Sequence, residues 1–242
     1  MSGLLVVHAH PDDETITQGA TLALHAAAGA GVTVVTCTRG EQGEVIPPEL
    51  AHLFGSPELG AWRVGELHAA LAALGVRDHR FLDGDRPPLY VDSGMAYAAD
   101  GSVVPVPSPP DGAFALADLE AAALRLAAVL RDAEPDAVVT YDPVGGYGHP
   151  DHVRAHHVTM RAVELVPVPR VYWIVDEARA TTSVDGTAFV AAKVAALRAH
   201  ATQVTVADDE QTFALSNAVP HPLSAVEHYR LVRGTPVPGP LL

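Results

Sequence analysis

Apolar and polar residues alternate along this chain in two rhythms, one short and dense, one spaced by turns of a helix. Leu4-Leu5-Val6-Val7 is a continuous apolar run, as expected of a strand buried on both faces. Thr15 to Gly29 is rich in Ala and Leu and closes on Gly29 and Gly31, which predicts a helix. Val32-Thr33-Val34-Val35-Thr36 predicts a second strand. Pro57 to Leu74 predicts a second helix, with Leu67, Leu71 and Leu74 at helical spacing and Gly75 as its stop. His79-Arg80-Phe81-Leu82 reads as a third strand, and Asp83 to Gly112, rich in Gly, Pro and Asp, as mostly loop. Leu116, Leu119, Ala123, Leu126 and Leu130 draw one apolar stripe on a helix from Ala115 to Arg131. Asp136 to Tyr141 reads as a strand broken by Asp142-Pro143. A helix from Pro150 to about Val163, a strand from Val171 to Val175 and a helix from Phe189 to His200 follow. Beyond them, short runs are interrupted by Pro220, Pro222, Pro236, Pro238 and Pro240.

Strands alternating with helices of about ten or more residues imply βαβ units and a mainly parallel sheet. The expected fold is therefore α/β, a Rossmann-like sheet flanked by helices, with ligands bound at the carboxyl ends of the strands. No linker or repeat divides residues 1–242, so one domain is expected.

Composition narrows the function. The 242 residues are 48% hydrophobic and 18% charged, a globular balance with enough chain to bury a core. A formal charge of −14 disfavours nucleic-acid and anionic-membrane partners, since no cationic surplus exists to neutralise phosphates. One cysteine, Cys37, excludes a disulfide framework and any cysteine-based zinc cage. The opening residues from Met1 to His8 lack a basic region, and no uncharged apolar run reaches about 18 residues. A cytoplasmic protein without a membrane segment is expected. The 13 histidines, nearly as many as the 15 lysines and arginines, do not follow from any of this.

Six of those histidines fall at positions 8, 10, 149, 152, 156 and 157. The first strand runs into His8-Ala9-His10-Pro11-Asp12-Asp13-Glu14, and the strand at Val138 to Tyr141 runs into Gly145-Gly146-Tyr147-Gly148-His149-Pro150-Asp151-His152. Both segments thus lie at strand carboxyl ends. His10 and Asp13, three apart at a turn, can converge on one ion, and His152 would close the set. Two imidazoles and a carboxylate suit zinc, with one position left for water, and also suit iron(II). A lone His-x-x-Asp is ordinarily a capping turn; two at strand ends in one chain weigh against that. Asp12 remains beside the set, as a base for the attacking water or as the N-cap of the next helix. His149 is a candidate donor to a developing oxyanion, charged or neutral. Asp151 could orient a neighbouring ring, and Tyr147 is a second donor.

Ala9-His10-Pro11-Asp12-Asp13-Glu14 together with Gly148-His149-Pro150-Asp151-His152 closely resembles the LmbE/PIG-L family of metal-dependent de-N-acetylases. Thr140 to Val153, Gly40 to Ile46, Arg63 to Leu67, Asp92 to Met95 and Lys193 to Gln203 resemble its actinobacterial branch of mycothiol metabolism. The resemblance implies zinc ligation by His10, Asp13 and His152, with Asp12 as general base. It also implies that His149, partnered by Asp151, steadies the tetrahedral intermediate while Tyr147 polarises the carbonyl. Arg63 and Asp92 match residues that hold inositol hydroxyls in the branch that deacetylates GlcNAc-inositol, and Glu44 and Thr17 would line the pocket. The implied reaction removes the acetyl group of an N-acetylated amino sugar. Other outcomes compatible with the same loops are cleavage of mycothiol S-conjugates, deacetylation of another glycoside, and a metal that only braces two loops. The chain is shorter than that branch between the strand near Trp173 and the helix near Ala191.

Overall fold

The computed structural model describes residues 3–84 and 88–242. Met1, Ser2 and residues 85–87 of the expected loop lie outside the described residues.

The first half follows the apolar rhythm. β1 (Gly3–His8), α1 (Asp13–Ala27), β2 (Gly31–Thr36), α2 (Leu59–Ala73) and β3 (Asp78–Phe81) alternate as expected. The expected loop carries one small hairpin, β4 (Ala96–Tyr97) with β5 (Val103–Val104). α3 (Leu119–Ala133) starts four residues later than its stripe suggested, because the Asp118 side chain accepts the Ala121 N–H at 2.8 Å and caps the helix there. β6 (Ala137–Tyr141), α4 (Pro150–Leu165) and β7 (Arg170–Ile174) then complete the parallel part. Pro150 opens α4, where its missing N–H costs nothing.

The remaining elements are β8 (Thr182–Asp185), α5 (Val190–Ala199), a small antiparallel sheet of β9 (Thr205–Val206), β10 (Thr212–Ala214) and β11 (Pro220–Pro222), and β12 (Val226–Arg233). The main sheet has the order β3-β2-β1-β6-β7-β12-β8. Its first five strands are parallel; β12 runs antiparallel to both β7 and β8. Strand order reverses at β1 and β6, so their carboxyl ends frame the crevice in which such sheets bind ligands. Among the described residues, no helix is long and apolar enough to cross a membrane.

Alternation along β1 divides the core. Leu5 and Val7 face α3 and α4, against Phe114, Leu126, Leu130 and Val158. Leu4 and Val6 face α1, α2 and α5, against Leu22, Leu67, Leu71 and Ala196. β1 is thereby a two-faced hydrophobic strand, which fixes its register and the position of the loop at its end.

Beneath α1 lies a buried ion pair. Lys193 Nζ on α5 is 2.7 Å from Glu227 Oε1 on β12 and donates to the Ser224 carbonyl at 2.9 Å. The Glu227 carboxylate also accepts N–H groups of Ala20 and Thr21. Gly19 permits this approach, since a Cβ there would meet Lys193 Cγ at 3.0 Å. Lys193→Met should destabilise the fold by about 3 kcal/mol, because a charge left alone in the interior keeps its desolvation cost. Urea unfolding checks it; a loss under about 1 kcal/mol would mean that the helix amides alone satisfy Glu227.

Candidate metal-dependent active site

The turn after β1 places Asp12 in an unusual backbone state, with φ at +121°. Such a conformation costs a non-glycine residue about 1–3 kcal/mol and persists only where neighbours over-determine it. Here they do. The Glu14 carboxylate accepts the Asp12 N–H at 3.0 Å, and Arg63 donates to Asp12 Oδ2 at 3.0 Å and to the Pro11 carbonyl at 2.6 Å. Glu14 is in turn held by Thr15 Oγ1 at 2.6 Å and His200 Nε2 at 2.9 Å. Burial pushes Glu14 upward, but the facing His200 outweighs it and brings the carboxyl down to about 2. Asp12 stands at the N-cap position of α1, yet its side chain makes no cap hydrogen bond. Of the two roles the sequence allowed, side-chain capping is not made here, and the carboxylate is engaged by Arg63 instead. Burial raises its pKa to about 6, against the opposing pull of Arg63.

Asp13 and two rings meet beside it. Asp13 Oδ2 lies 3.3 Å from His10 Nδ1 and 3.3 Å from His152 Nε2. It also accepts the His10 backbone N–H at 3.0 Å and the Tyr141 hydroxyl at 2.7 Å. His152 Nε2 is buried without a hydrogen-bond partner, an orphan that an ion would satisfy. His10, His149 and His152 each bring a nitrogen within 4.8 Å of the others, and His10, Asp92 and Asp151 form a second such group. The far edge of His10 distinguishes the two. Its Nε2 is 3.2 Å from Asp151 Oδ2 and 3.5 Å from Asp92 Oδ1. With the ring proton there, His10 Nδ1 keeps a free lone pair facing Asp13 and His152, the arrangement in which an outer carboxylate orients a ligating imidazole. Asp151 is itself fixed by the Ser93 N–H at 2.8 Å and by the Ser93 hydroxyl. The donor set of two imidazoles and a carboxylate therefore fits a zinc-type ion.

The second loop is built on glycines. Gly145, Gly146 and Gly148 all have positive φ, and a Cβ on Gly145 would meet the Val153 N at 2.8 Å. The loop carries Tyr147 to the rim, 58% exposed, with its ring 5.0 Å from that of His152. His149 caps α4 with its ring, Nδ1 accepting the Asp151 N–H at 3.1 Å. The pairing expected between His149 and Asp151 is thus a backbone contact; the Asp151 carboxylate serves His10 instead. Burial, together with the charges of His10 and His152, pushes His149 down to about 3.

The outer residues are more committed than the sequence suggested. Arg63 is 3% exposed and spends its terminal nitrogens on Gly40 O, Pro11 O and Asp12, which leaves only Nε without a partner. Gly40 is required for this: a Cβ there would lie 2.0 Å from Arg63 Nη1. Asp92 is buried and accepts N–H groups of Gly94 and Gln42. Thr17 returns its hydroxyl to the Asp13 carbonyl at 2.6 Å, and Glu44 is exposed, offering its carbonyl to Gln203. An apolar cavity of about 370 Å³ opens beside Ser93 and Pro150, walled by Val106, Leu116 and Val153, with room for ligand atoms beyond the polar centre. Sequence reasoning missed Glu14, His200, Ser93 and Tyr141. Glu14 left a signal as an acidic residue in the first turn of α1, and Ser93, Tyr141 and His200 only in lying within family-like segments.

A seven-stranded, mostly parallel sheet with a His/Asp cluster at its switch point defines an α/β protein of the Rossmann-like class. The chain belongs to the PIG-L family: the family profile described as GlcNAc-PI de-N-acetylase matches residues 5–163. Members are hydrolytic, metal-dependent enzymes that remove an acyl group from nitrogen. A protein of Streptomyces avermitilis named 1D-myo-inositol 2-acetamido-2-deoxy-alpha-D-glucopyranoside deacetylase is 48% identical over 281 residues, covering 96% of this chain and 92% of its own. One of the same name from Kribbella flavida is 41% identical, covering 98% and 93%. An alignment of 281 positions exceeds the 242 residues of this chain, so the Streptomyces protein carries extra residues. In fold, the chain is similar to N,N'-diacetylchitobiose deacetylase from Pyrococcus horikoshii, with a TM-score of 0.66, 22% identity and coverage of 96% and 84%. It is equally similar to GalB, the 4-carboxy-2-hydroxymuconate hydratase of Pseudomonas putida, with a TM-score of 0.64, 22% identity and 98% coverage of both chains. The fold thus hosts more than one reaction, and function rests on the site.

Proposed function

We propose that this chain deacetylates GlcNAc-inositol in mycothiol biosynthesis, with a zinc ion held by His10, Asp13 and His152. The observation that carries the reading is the convergence of His10 and His152 on Asp13, each 3.3 Å from its Oδ2, next to an Asp12 carboxylate that makes no cap hydrogen bond to α1. The names of relatives at 41–48% identity supply the substrate. When bound, the ion supplies an acidified water and polarises the amide carbonyl. Asp12 would be the group that accepts the proton of the attacking water. Arg63 holds Oδ2, so among the described residues Oδ1 has no protein partner and is the oxygen available for the proton. A pKa near 6 suits a base that is ionised at neutral pH yet still basic enough to act.

His149 accepts the Asp151 N–H on Nδ1, which leaves its proton on Nε2. It is therefore a neutral donor to the oxyanion, with Tyr147 as the second, each worth about 3–4 kcal/mol when well placed. The leaving amine also needs a proton, which Asp12, having taken one as base, can return to it. Asp92, buried beside His10, is the group left to meet a sugar hydroxyl, while Arg63 reaches the substrate only through its hold on Asp12. Glu44 and Thr17 contribute at most a wall.

A primary-amine assay on GlcNAc-inositol, a mycothiol S-conjugate and plain GlcNAc tests the substrate. GlcNAc-inositol should be the best of the three. Faster release from the conjugate would replace deacetylase by amidase, and equal rates would remove the inositol from the reading. Chelation should abolish turnover, and zinc or iron(II) should restore it.

A further inference from the structure

We propose that Tyr141 is a positioning residue that sets the metal-binding geometry, its hydroxyl anchoring Asp13 while its ring backs His152. The inference rests on His10, Asp13 and His152 being the ligand set.

Tyr141 closes β6, where pairing of that strand with β1 fixes it opposite the first metal loop. Its hydroxyl accepts the Ala9 N–H at 2.9 Å and gives its one proton to Asp13 Oδ2 at 2.7 Å. The accepted bond comes from main chain that cannot swing away, so the direction of the donated one is set by the sheet. Asp13 Oδ2 then has two donors, the Tyr141 hydroxyl and the His10 N–H. A carboxylate held at one oxygen from two directions has its plane fixed before any cation arrives. The same tyrosine ring lies 4.1 Å from the His152 ring, 16° from parallel. Asp13 opens α1 and His152 lies in the first turn of α4, and the Tyr141 side chain touches both. Behind it, His8 Nδ1 is 3.4 Å from the hydroxyl and His8 Nε2 is 2.7 Å from Gln18 Oε1, so a buried polar layer backs the contact. Outer partners of this kind orient the ligands and tune the affinity of the metal they serve.

Tyr141→Phe keeps the ring and deletes the anchor. Zinc affinity, measured by competition with a chelating dye, should weaken by about 10–100-fold, the range seen for lost outer partners. A merely structural role would lower the melting temperature of the metal-free protein and leave zinc affinity unchanged, and that result overturns the proposal. Wild type and Asp13→Ala are measured beside it. If wild type binds zinc and Asp13→Ala does not, an unchanged Tyr141→Phe refutes the anchor alone. If wild type binds no zinc, or Asp13→Ala binds it normally, the ligand set fails and the anchor with it. Should Tyr141→Phe not fold, cobalt-loaded wild type gives the answer by proton NMR. A slowly exchanging tyrosine hydroxyl proton should be displaced far outside the diamagnetic range, and its absence overturns the proposal.

Discussion

Replacing Asp12 by asparagine should leave one zinc per chain and cut kcat by about 10²–10⁴-fold, with KM changed only a few-fold. The expectation follows from where the carboxylate goes. It neither caps α1 nor lies between the two imidazoles; its one side-chain contact is with Arg63. Asparagine keeps the Arg63 contact through its amide oxygen and tolerates positive φ better than most residues, so the strained turn survives. What disappears is the ability to take a proton. Asp12→Ala should lose as much turnover and also some stability, since alanine at φ +121° gains nothing from Arg63 to offset the strain. Metal analysis and steady-state kinetics on the two variants separate these terms. Turnover above about a tenth of wild type in Asp12→Asn would remove Asp12 as the base.

The parts of the protein that were legible in the sequence are those where one face or one ion dictates residue type. β1 reads as Leu4-Leu5-Val6-Val7 because both of its faces are covered, and its end is where the His10 and Asp13 turn had to lie. The convergence of His10, Asp13 and His152 was visible because each needs a lone pair and stands next to a strand end. β12 was not visible. Its inward positions include Glu227, whose burial is made tolerable by Lys193 from another helix, so the run of inward side chains does not read as apolar. The burial of Arg63 was not legible for a related reason: a substrate-facing arginine and a buried one differ only in which carbonyls happen to lie within reach, here those of Pro11 and Gly40. Asp151 shows the limit of adjacency. Two residues from His149, it was expected to serve that ring, but the first turn of α4 points its carboxylate at His10, which comes from the other loop. Tyr141 carried no signal beyond its place in the family-like Thr140 to Val153 segment, because a tyrosine closing a buried strand is ordinary until its hydroxyl is seen on Asp13.

His152→Ala should lose zinc by more than the about 10–100-fold expected for an outer partner, while the fold persists. His152 is the third residue of α4 and is 2% exposed, so its ring is held where the helix starts. α4 itself is secured elsewhere, by Ala155, Val158 and Ala162 in the core. Alanine therefore removes a ligand without removing the helix; the Tyr141 ring loses its stacking neighbour, a loss of about 0.5–1.5 kcal/mol. Metal linkage gives a readout independent of turnover. A ligand at a hundred times its Kd stabilises the folded state by about 2.7 kcal/mol, so EDTA should lower the melting temperature of wild type and leave that of His152→Ala unmoved. His149 is the competing third donor, being as near to His10 as the cluster requires. His149→Ala should keep the chelator response and lose turnover, since its Nδ1 is already engaged by the Asp151 N–H while Asp13, within 3.3 Å of both His10 and His152, supplies the third ligand. If His149→Ala loses the EDTA shift and His152→Ala keeps it, the two histidines exchange roles, and the oxyanion donor lies on His152.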